Sequence, residues 1–141
     1  MTLDPAAVEA RYAELIAAWA RHDLPAIQAM HAPGAELVIG GRHDLAGRYV
    51  GPGALLAALV KFAPYVQAGA PHTEQIEFRD GEVESASLVT IRSPLKPGEI
   101  QTVFRTTIRF DDDGLVTHVW NRADDQQALD AFFGVLDAER R

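Results

Sequence analysis

The sequence predicts an α+β fold in which a curved antiparallel sheet is wrapped around N-terminal helices, with a pocket between them. Apolar residues recur at helical spacing in the N-terminal part of the 141-residue chain, and the period changes to alternation from Pro71 onward. Short turns join the successive strands, which must therefore run antiparallel. Helices followed by a run of strands are typical of α+β folds rather than of alternating β and α elements.

Three helices and a small hairpin are predicted before the long strands. Asp4 and Pro5 begin the first helix, because Asp caps free amides and Pro suits the first turn. A second helix follows Asp23 and closes before Pro33-Gly34. The apolar stripe of the first helix is Val8, Tyr12, Leu15 and Trp19. The later elements have the predicted bounds Leu24 to Met30 (helix), Glu36 to Ile39 (strand), Arg42 to Tyr49 (strand) and Ala54 to about Val66 (helix).

Four strands and a final helix follow. The strands are Thr73 to Arg79, Val83 to Arg92, and the two arms of a hairpin within Gln101 to Asp124. Asp124 is expected to cap the last helix, with Gln127 placed for a capping box. Its buried stripe is Leu129, Phe132, Phe133 and Leu136.

The hairpin turn Asp111 to Gly114 sets the predicted register. If these four residues alone form the loop, Thr106 lies opposite Val119 and Phe104 opposite Asn121. One face is then apolar with Asn121 at its far end, and the other is polar, so a ligand site should include Asn121. The apolar face comprises Phe104, Thr106, Ile108, Phe110, Leu115, Thr117, Val119 and Asn121; the polar face comprises Val103, Arg105, Thr107, Arg109, Val116, His118, Trp120 and Arg122.

Composition excludes several classes of function. A net charge of −7 without a basic stripe disfavours nucleic acid and anionic membranes as partners. The chain has no cysteine and no metal-type histidine spacing, so no metal site is expected. The N-terminus has no basic and apolar leader, and no apolar run approaches about 20 residues, so we expect a cytoplasmic, single-domain protein spanning 1–141.

Three stretches carry a resemblance to a known family: ARHDLPAIQAMHAPGAEL, GRYVGPGALLAALVKF and GLVTHVWNRAD. With the order of elements, they resemble the nuclear-transport-factor-2-like superfamily, and within it the SnoaL-like polyketide cyclases and ketosteroid-isomerase-like proteins. The resemblance covers nearly the whole chain. It implies a cone-shaped, cystatin-like α+β barrel whose cavity opens between sheet and helices, and members that are isomerases, cyclases, dehydratases, epoxide hydrolases or non-catalytic binders.

The catalytic residues of these relatives are not kept. The position matching the aspartate on the last strand of SnoaL-like cyclases is Asn121, which cannot exchange a proton at useful pH. The position matching the ketosteroid isomerase base falls near Ile39. The positions matching its oxyanion pair, a tyrosine and a protonated aspartate, are Leu15 and Thr106. Those matching the Arg and Asp of epoxide hydrolases fall near Ser87 and Val89.

The candidate catalytic residues are His72 and Asn121. His72 begins the first long strand, where some dehydratase-like relatives resemble it in using a histidine, and a histidine pKa suits a general base; the alternative is a surface histidine. Asn121 would donate to a carbonyl or enolate, or else tie the last strand to the following helix. The expected ligand-binding residues are Tyr12, Trp19, Phe104, Thr106 and Val119, for which core packing is the alternative.

The resemblance also implies a homodimer through the outer sheet face, which often forms the interface in this family; here Arg105, Arg109, His118 and Trp120 would build it. Arg105 should lie opposite Trp120, within range of a cation–π contact. Three hypotheses follow for function. The chain is a cofactor-free isomerase, cyclase or dehydratase acting on a hydrophobic oxygenated molecule, a non-catalytic binder of an apolar ligand, or an assembly module whose pocket is only a remnant.

Overall fold

Two N-terminal helices precede seven strands in the computed structural model, which describes residues 2–42, 46–54, 57–58, 67–68, 72–93 and 96–132. Helical residues also occur at 52–54, 57–58 and 126–132. The elements are α1 (Pro5–Ala20), α2 (Leu24–Ala29), β1 (His31–Ile39), β2 (Gly47–Val50), β3 (Gln67–Ala68), β4 (His72–Arg79), β5 (Glu82–Ser93), β6 (Lys96–Phe110) and β7 (Val116–Ala123). The predicted α+β class is confirmed.

The seven strands form one sheet of order β2-β1-β7-β6-β5-β3, with β4 also paired to β5. The predicted sheet was antiparallel throughout, but β1 runs parallel to β7, so the sheet is mixed. β1 also begins earlier than predicted, at His31 rather than Glu36. His31, its first residue, pairs with Val116, and an irregularity separates this pair from the regular pairing that begins at Glu36. The pairing joins residues far apart in the chain, so local turn signals do not reveal it.

The helix starts follow the predicted chemistry. Asp4 accepts a hydrogen bond from the amide of Ala7 at 2.8 Å, and Pro5 occupies the first turn of α1. Asp23 accepts from the amide of Ala26 at 3.2 Å and caps α2. Each carboxylate satisfies an amide that has no partner within its helix.

The final helix is capped by a different residue from the one predicted. Asp125, not Asp124, accepts from the amide of Ala128 at 3.1 Å, while Asp124 is engaged by Arg105. Leu129 and Phe132 are buried as predicted. Phe133 and Leu136 lie outside the described residues, as does most of the predicted helix from Ala54 to Val66.

The hairpin between β6 and β7 forms as predicted, with Gly114 at a φ of 78°, but its register differs by two residues. The Asp111 carboxylate accepts hydrogen bonds from the amides of Asp113 (3.0 Å) and Leu115 (2.9 Å) and so holds a loop of residues 111–115. Thr117 is left out of the pairing, between Phe110 opposite Val116 and Arg109 opposite His118. A bulge of this kind shifts every later pair.

This shift moves three residues from their predicted places. Asn121 pairs with Thr106, and Val119 with Ile108. Val116, predicted on the polar face, is fully buried.

Two apolar clusters form the described core. The first, here the α1 cluster, joins helix α1 to the turn end of the sheet and comprises Val8, Leu15, Met30, Val83, Ile108, Phe110 and Val116. The second, the C-terminal cluster, comprises Ile91, Ala123, Leu129 and Phe132. Arg11 secures the first by donating from Nε to the carbonyl of Gly114 at 2.6 Å, a contact between residues 103 positions apart.

Candidate functional site

The side of the sheet that packs against α1, here the inner face, carries the candidate site. Phe78 of β4 makes an edge-to-face contact with Tyr12 of α1, with ring centroids 5.9 Å apart. Val83 and Ile108 join the α1 cluster. Strand alternation from these residues assigns the rest of the inner face. Along β5 and β6 these residues are Val83, Ser85, Ser87, Val89, Ile91, Ile100, Thr102, Phe104, Thr106, Ile108 and Phe110.

Three neutral polar side chains cross this apolar face. Ser85 of β5 lies opposite Thr106 of β6, and Thr106 lies opposite Asn121 of β7. We call these three residues the polar row. Isoleucines bound it on both sides, since Ile76 of β4 pairs with Ser85 and Ile39 of β1 pairs with Asn121. The row therefore interrupts the inner face at one level.

The polar row is joined by a hydrogen bond and stays accessible. Nδ2 of Asn121 donates to Oγ1 of Thr106 at 3.3 Å. All three side chains are partly exposed, although the apolar clusters on either side are buried. A neutral amide and two hydroxyls that are neither packed away nor fully solvated can orient an oxygen of a bound molecule.

The predicted ligand-binding residues surround this row. Tyr12, Trp19 and Val119 pack against the α1 cluster, on one side of it. Phe104 packs against the C-terminal cluster, on the other side. The structure thus brings Tyr12, Trp19, Phe104, Thr106, Val119 and Asn121 together on one side of the sheet, each partly exposed.

His72 does not join them. It is exposed and pairs with Leu88, whose neighbours Ser87 and Val89 belong to the inner face, so its register position is on the opposite, outer face. Simple alternation back from Phe78 would place His72 on the inner face. The irregularity between Thr73 and Gln75 inserts one extra residue into β4. His72, which precedes it, therefore has a register position on the face opposite to the one that simple alternation predicts.

Sequence reasoning missed Ser85 as a member of the site. A signal was present, because the inward positions of β5 alternate as Val83, Ser85, Ser87, Val89 and Ile91. The two serines interrupt an otherwise apolar series. Ser87 lies two residues further along β5, at the next inner-face position, and is not part of the polar row. Its hydroxyl donates to Oγ1 of Thr73 at 3.4 Å.

The outer face carries the charges of the sheet. Arg79 bridges Glu77 at 2.7 Å and Glu84 at 3.2 Å, and its hydrogen bond holds the pKa of Glu77 below the usual range. Glu36 is paired with Arg48, which lowers the pKa of that carboxyl. Among the inner-face positions 76 and 78 of β4, 83 to 91 of β5, 100 to 110 of β6 and 119 to 123 of β7, none carries a charged side chain.

Trp120 forms an aromatic and cationic stack on the outer face. His118 lies parallel to it, with ring centroids 5.0 Å apart, and the guanidinium of Arg109 is 5.0 Å from the ring centroid. The predicted partner, Arg105, instead lies opposite Arg122 and binds Asp124 at 2.6 Å. The hairpin shift explains this difference, because it places Thr107 opposite Trp120.

A groove of about 520 Å³ is lined by residues of β4, β5 and β6 that include two inner-face positions, Ile76 and Ser85; the others are Glu74, Gln75, Glu77, Glu84, Ala86 and Arg105. Within the described ranges, no group of three or more His, Cys, Asp or Glu side chains is arranged to hold a metal ion. Nor does any helix in that part of the chain have the length and apolar character needed to cross a membrane.

Comparison with solved structures identifies the architecture. An NTF2-like protein from Burkholderia xenovorans LB400 superposes with a TM-score of 0.80 at 22% identity, over 91% of this chain and 98% of that one. This chain has the NTF2-like fold. No protein-family model and no curated protein matches the sequence.

Two further structures with the NTF2-like architecture carry assigned activities. A protein from Shewanella denitrificans OS-217 assigned as a SnoaL-like polyketide cyclase has a TM-score of 0.69 at 16% identity, over 88% of this chain and 96% of that one. A protein from Rhodopseudomonas palustris assigned as an isomerase has a TM-score of 0.69 at 17% identity, over 95% of this chain and 97% of that one. At these identities the likeness establishes the fold alone.

Proposed function

We propose that this NTF2-like protein binds a hydrophobic, oxygenated small molecule between helix α1 and the inner face of its sheet. The observation that carries the proposal is the partly exposed Asn121–Thr106 pair between two apolar clusters. Apolar walls with a few convergent polar groups are the usual composition of small-molecule sites. Tyr12, Trp19, Phe104 and Val119 supply the walls, and the polar row orients the ligand.

The two tryptophans allow a direct test, because Trp19 packs on the inner side and Trp120 lies on the outer face. Polyketide, terpenoid, steroid and fatty-acid-like compounds would be screened by thermal shift, then titrated against Trp120→Phe and Trp19→Phe. A ligand at about 100 times its dissociation constant adds about 2.7 kcal/mol of stability. We expect hits to change the emission of Trp120→Phe, which retains Trp19. Hits that change only Trp19→Phe would place the ligand on the outer face and contradict the proposal.

A second candidate is a cofactor-free isomerase, cyclase or dehydratase, which the cyclase and isomerase assignments of two structural relatives support. In that case Asn121 would orient a carbonyl and His72 would move a proton. The outer-face register of His72 favours the binding function over this one. Product analysis on every hit separates the two, since a binder returns its ligand unchanged. Turnover that disappears in His72→Ala would establish the enzyme.

We also propose that the protein forms a homodimer through its outer sheet face. On β4 and β5 three acidic side chains (Glu74, Glu77, Glu84) outnumber Arg79, which bridges two of them, and they lie beside basic ones (Arg105, Arg109, Arg122) on β6 and β7. A two-fold axis would bring the acidic stripe of one copy against the basic stripe of the other. Trp120, which stacks against His118 and Arg109, would provide the apolar centre.

Sedimentation velocity tests the dimer. We expect the wild-type protein to sediment as a dimer at micromolar concentration and Trp120→Glu to sediment as a monomer, because the introduced charge would be buried in the interface. Ile16→Glu is the matched control, since Ile16 is an exposed apolar residue on helix α1. A monomeric wild-type protein, or equal effects of both substitutions, would contradict the interface.

A further inference from the structure

We infer that Ser85, Thr106 and Asn121 together select an uncharged oxygen, a ketone or alcohol in the middle of an apolar skeleton, and reject carboxylates. The inference rests on the proposed function and narrows its ligand class. It also assigns a binding role to Ser85.

The polar row has hydrogen-bond donors to spare. Oγ1 of Thr106 accepts from Nδ2 of Asn121, so the hydroxyl proton of Thr106 remains to be donated elsewhere. Asn121 keeps a second N–H, and Ser85, opposite Thr106, adds another hydroxyl. The row therefore offers several neutral donors at one level of the sheet. A carbonyl or hydroxyl oxygen accepts from such donors without bringing a charge.

Charge also limits which ligands the row accepts. The inner-face positions around the row, which are 76 and 78 on β4, 83 to 91 on β5, 100 to 110 on β6 and 119 to 123 on β7, hold no cation that could pair with a carboxylate. An unpaired carboxylate loses its hydration on entering such a site, a cost of several kcal/mol that neutral donors do not offset. Neutral ligands avoid this cost.

The surroundings of the row also limit where the ligand oxygen can lie. Ile39 and Ile76 flank the row across the sheet, and the two apolar clusters flank it along the strands, with Ser87 next to Ser85 on β5. A ligand oxygen held by the row therefore lies in a mainly apolar surface. This arrangement suits an oxygen inside a skeleton, such as a ring ketone, and not one at the end of a chain.

Matched probes test the charge selection. Cyclooctanone, cyclododecanone and a steroid monoketone would each be compared, by thermal shift and Trp19 emission in Trp120→Phe, with the carboxylic acid of the same ring at about pH 8, where acids are ionised. We expect at least one ketone to bind and its acid to bind at least about tenfold more weakly. An acid that binds as tightly as its ketone would overturn the inference.

Matched serines test the role of Ser85. Ser85→Ala should weaken ketone binding by about three- to tenfold, the value of one hydrogen bond. Ser87→Ala, on the same strand and face but one step away, should leave it unchanged. Equal effects of the two substitutions would overturn the role of Ser85.

A spectroscopic readout reports on the row itself. Asn121 is the single asparagine of the chain, so asparagine labelled with nitrogen-15 gives one side-chain amide pair. We expect ketone addition to shift this pair, and a bound ketone that leaves it unmoved would overturn the inference. If ligands bind near Trp19 without preference for ketones or for Ser85, this inference fails and the proposed function stands. If no compound of either screen binds, both fail.

Discussion

Asn121→Asp is expected to lower the stability of the protein by about 1–3 kcal/mol at about pH 7 and to recover most of that loss near pH 4. The introduced carboxylate would lie beside Thr106 and between apolar clusters, with no cation at the neighbouring paired positions of β1 and β6 on its face. Partial burial therefore raises its pKa above the unfolded value of about 3.9. Above the raised pKa the folded state holds an unfavourable charge, whereas below the unfolded value both states are neutral and the penalty disappears.

The measurement is urea unfolding of the variant and the wild type at both pH values, with Asn121→Leu as a control. Leucine has a similar size and cannot ionise, so its effect on stability should not change with pH. A variant with wild-type stability at pH 7 would mean that water solvates position 121 freely. The same protein tests the catalytic alternative, because aspartate is the residue that the resemblance places there in SnoaL-like cyclases; a gain of turnover would favour that function.

Phe110→Ala is expected to destabilise the protein by about 3–5 kcal/mol, a large part of the 5–15 kcal/mol typical of a small domain. Phe110 is 4% exposed, belongs to the α1 cluster and ends β6 at the hairpin loop. Its backbone amide also donates to the carbonyl of Gly81 at 2.8 Å. Truncation would leave a cavity where helix α1 meets the hairpin.

Urea unfolding measures this loss as a lower midpoint at an unchanged slope. Val50→Ala is the control, since Val50 is 53% exposed and its truncation should change stability by no more than about 0.5 kcal/mol. A loss below about 1 kcal/mol for Phe110→Ala would contradict the packing described here.

Local chemistry made the helices and the long strands predictable. Asp4, Pro5 and Asp23 cap or begin their helices through contacts within a few residues, which sequence spacing reveals directly. The apolar stripe of α1 and the alternation along β5 and β6 follow from burial on one side. These features identify the fold class without any long-range information.

Two local irregularities made the site less predictable. The Asp111 carboxylate enlarges the hairpin loop by one residue and the unpaired Thr117 adds a second, which together move Asn121 opposite Thr106 and create the polar row. The bulge near the start of β4 gives His72 an outer-face position. In both cases a side-chain hydrogen bond or an inserted residue interrupts the regular hydrogen bonding between strands. The alternation of apolar and polar residues does not reveal such interruptions. The parallel pairing of β1 with β7 was hidden because its partners are far apart in the chain.

The closure of the sheet by β1 and β7 bears on the order in which the protein folds. β1 lacks its parallel neighbour until β7 is available, and Arg11 of α1 reaches its acceptor only in the loop just before that strand. Contacts between such distant positions slow folding, because a long chain segment must be ordered before they form. Synthesis from the N-terminus therefore leaves one edge of β1 and part of the apolar side of α1 uncovered until the last hairpin emerges. We expect the native structure to assemble only after that hairpin has left the ribosome, with the final two strands completing the α1 cluster.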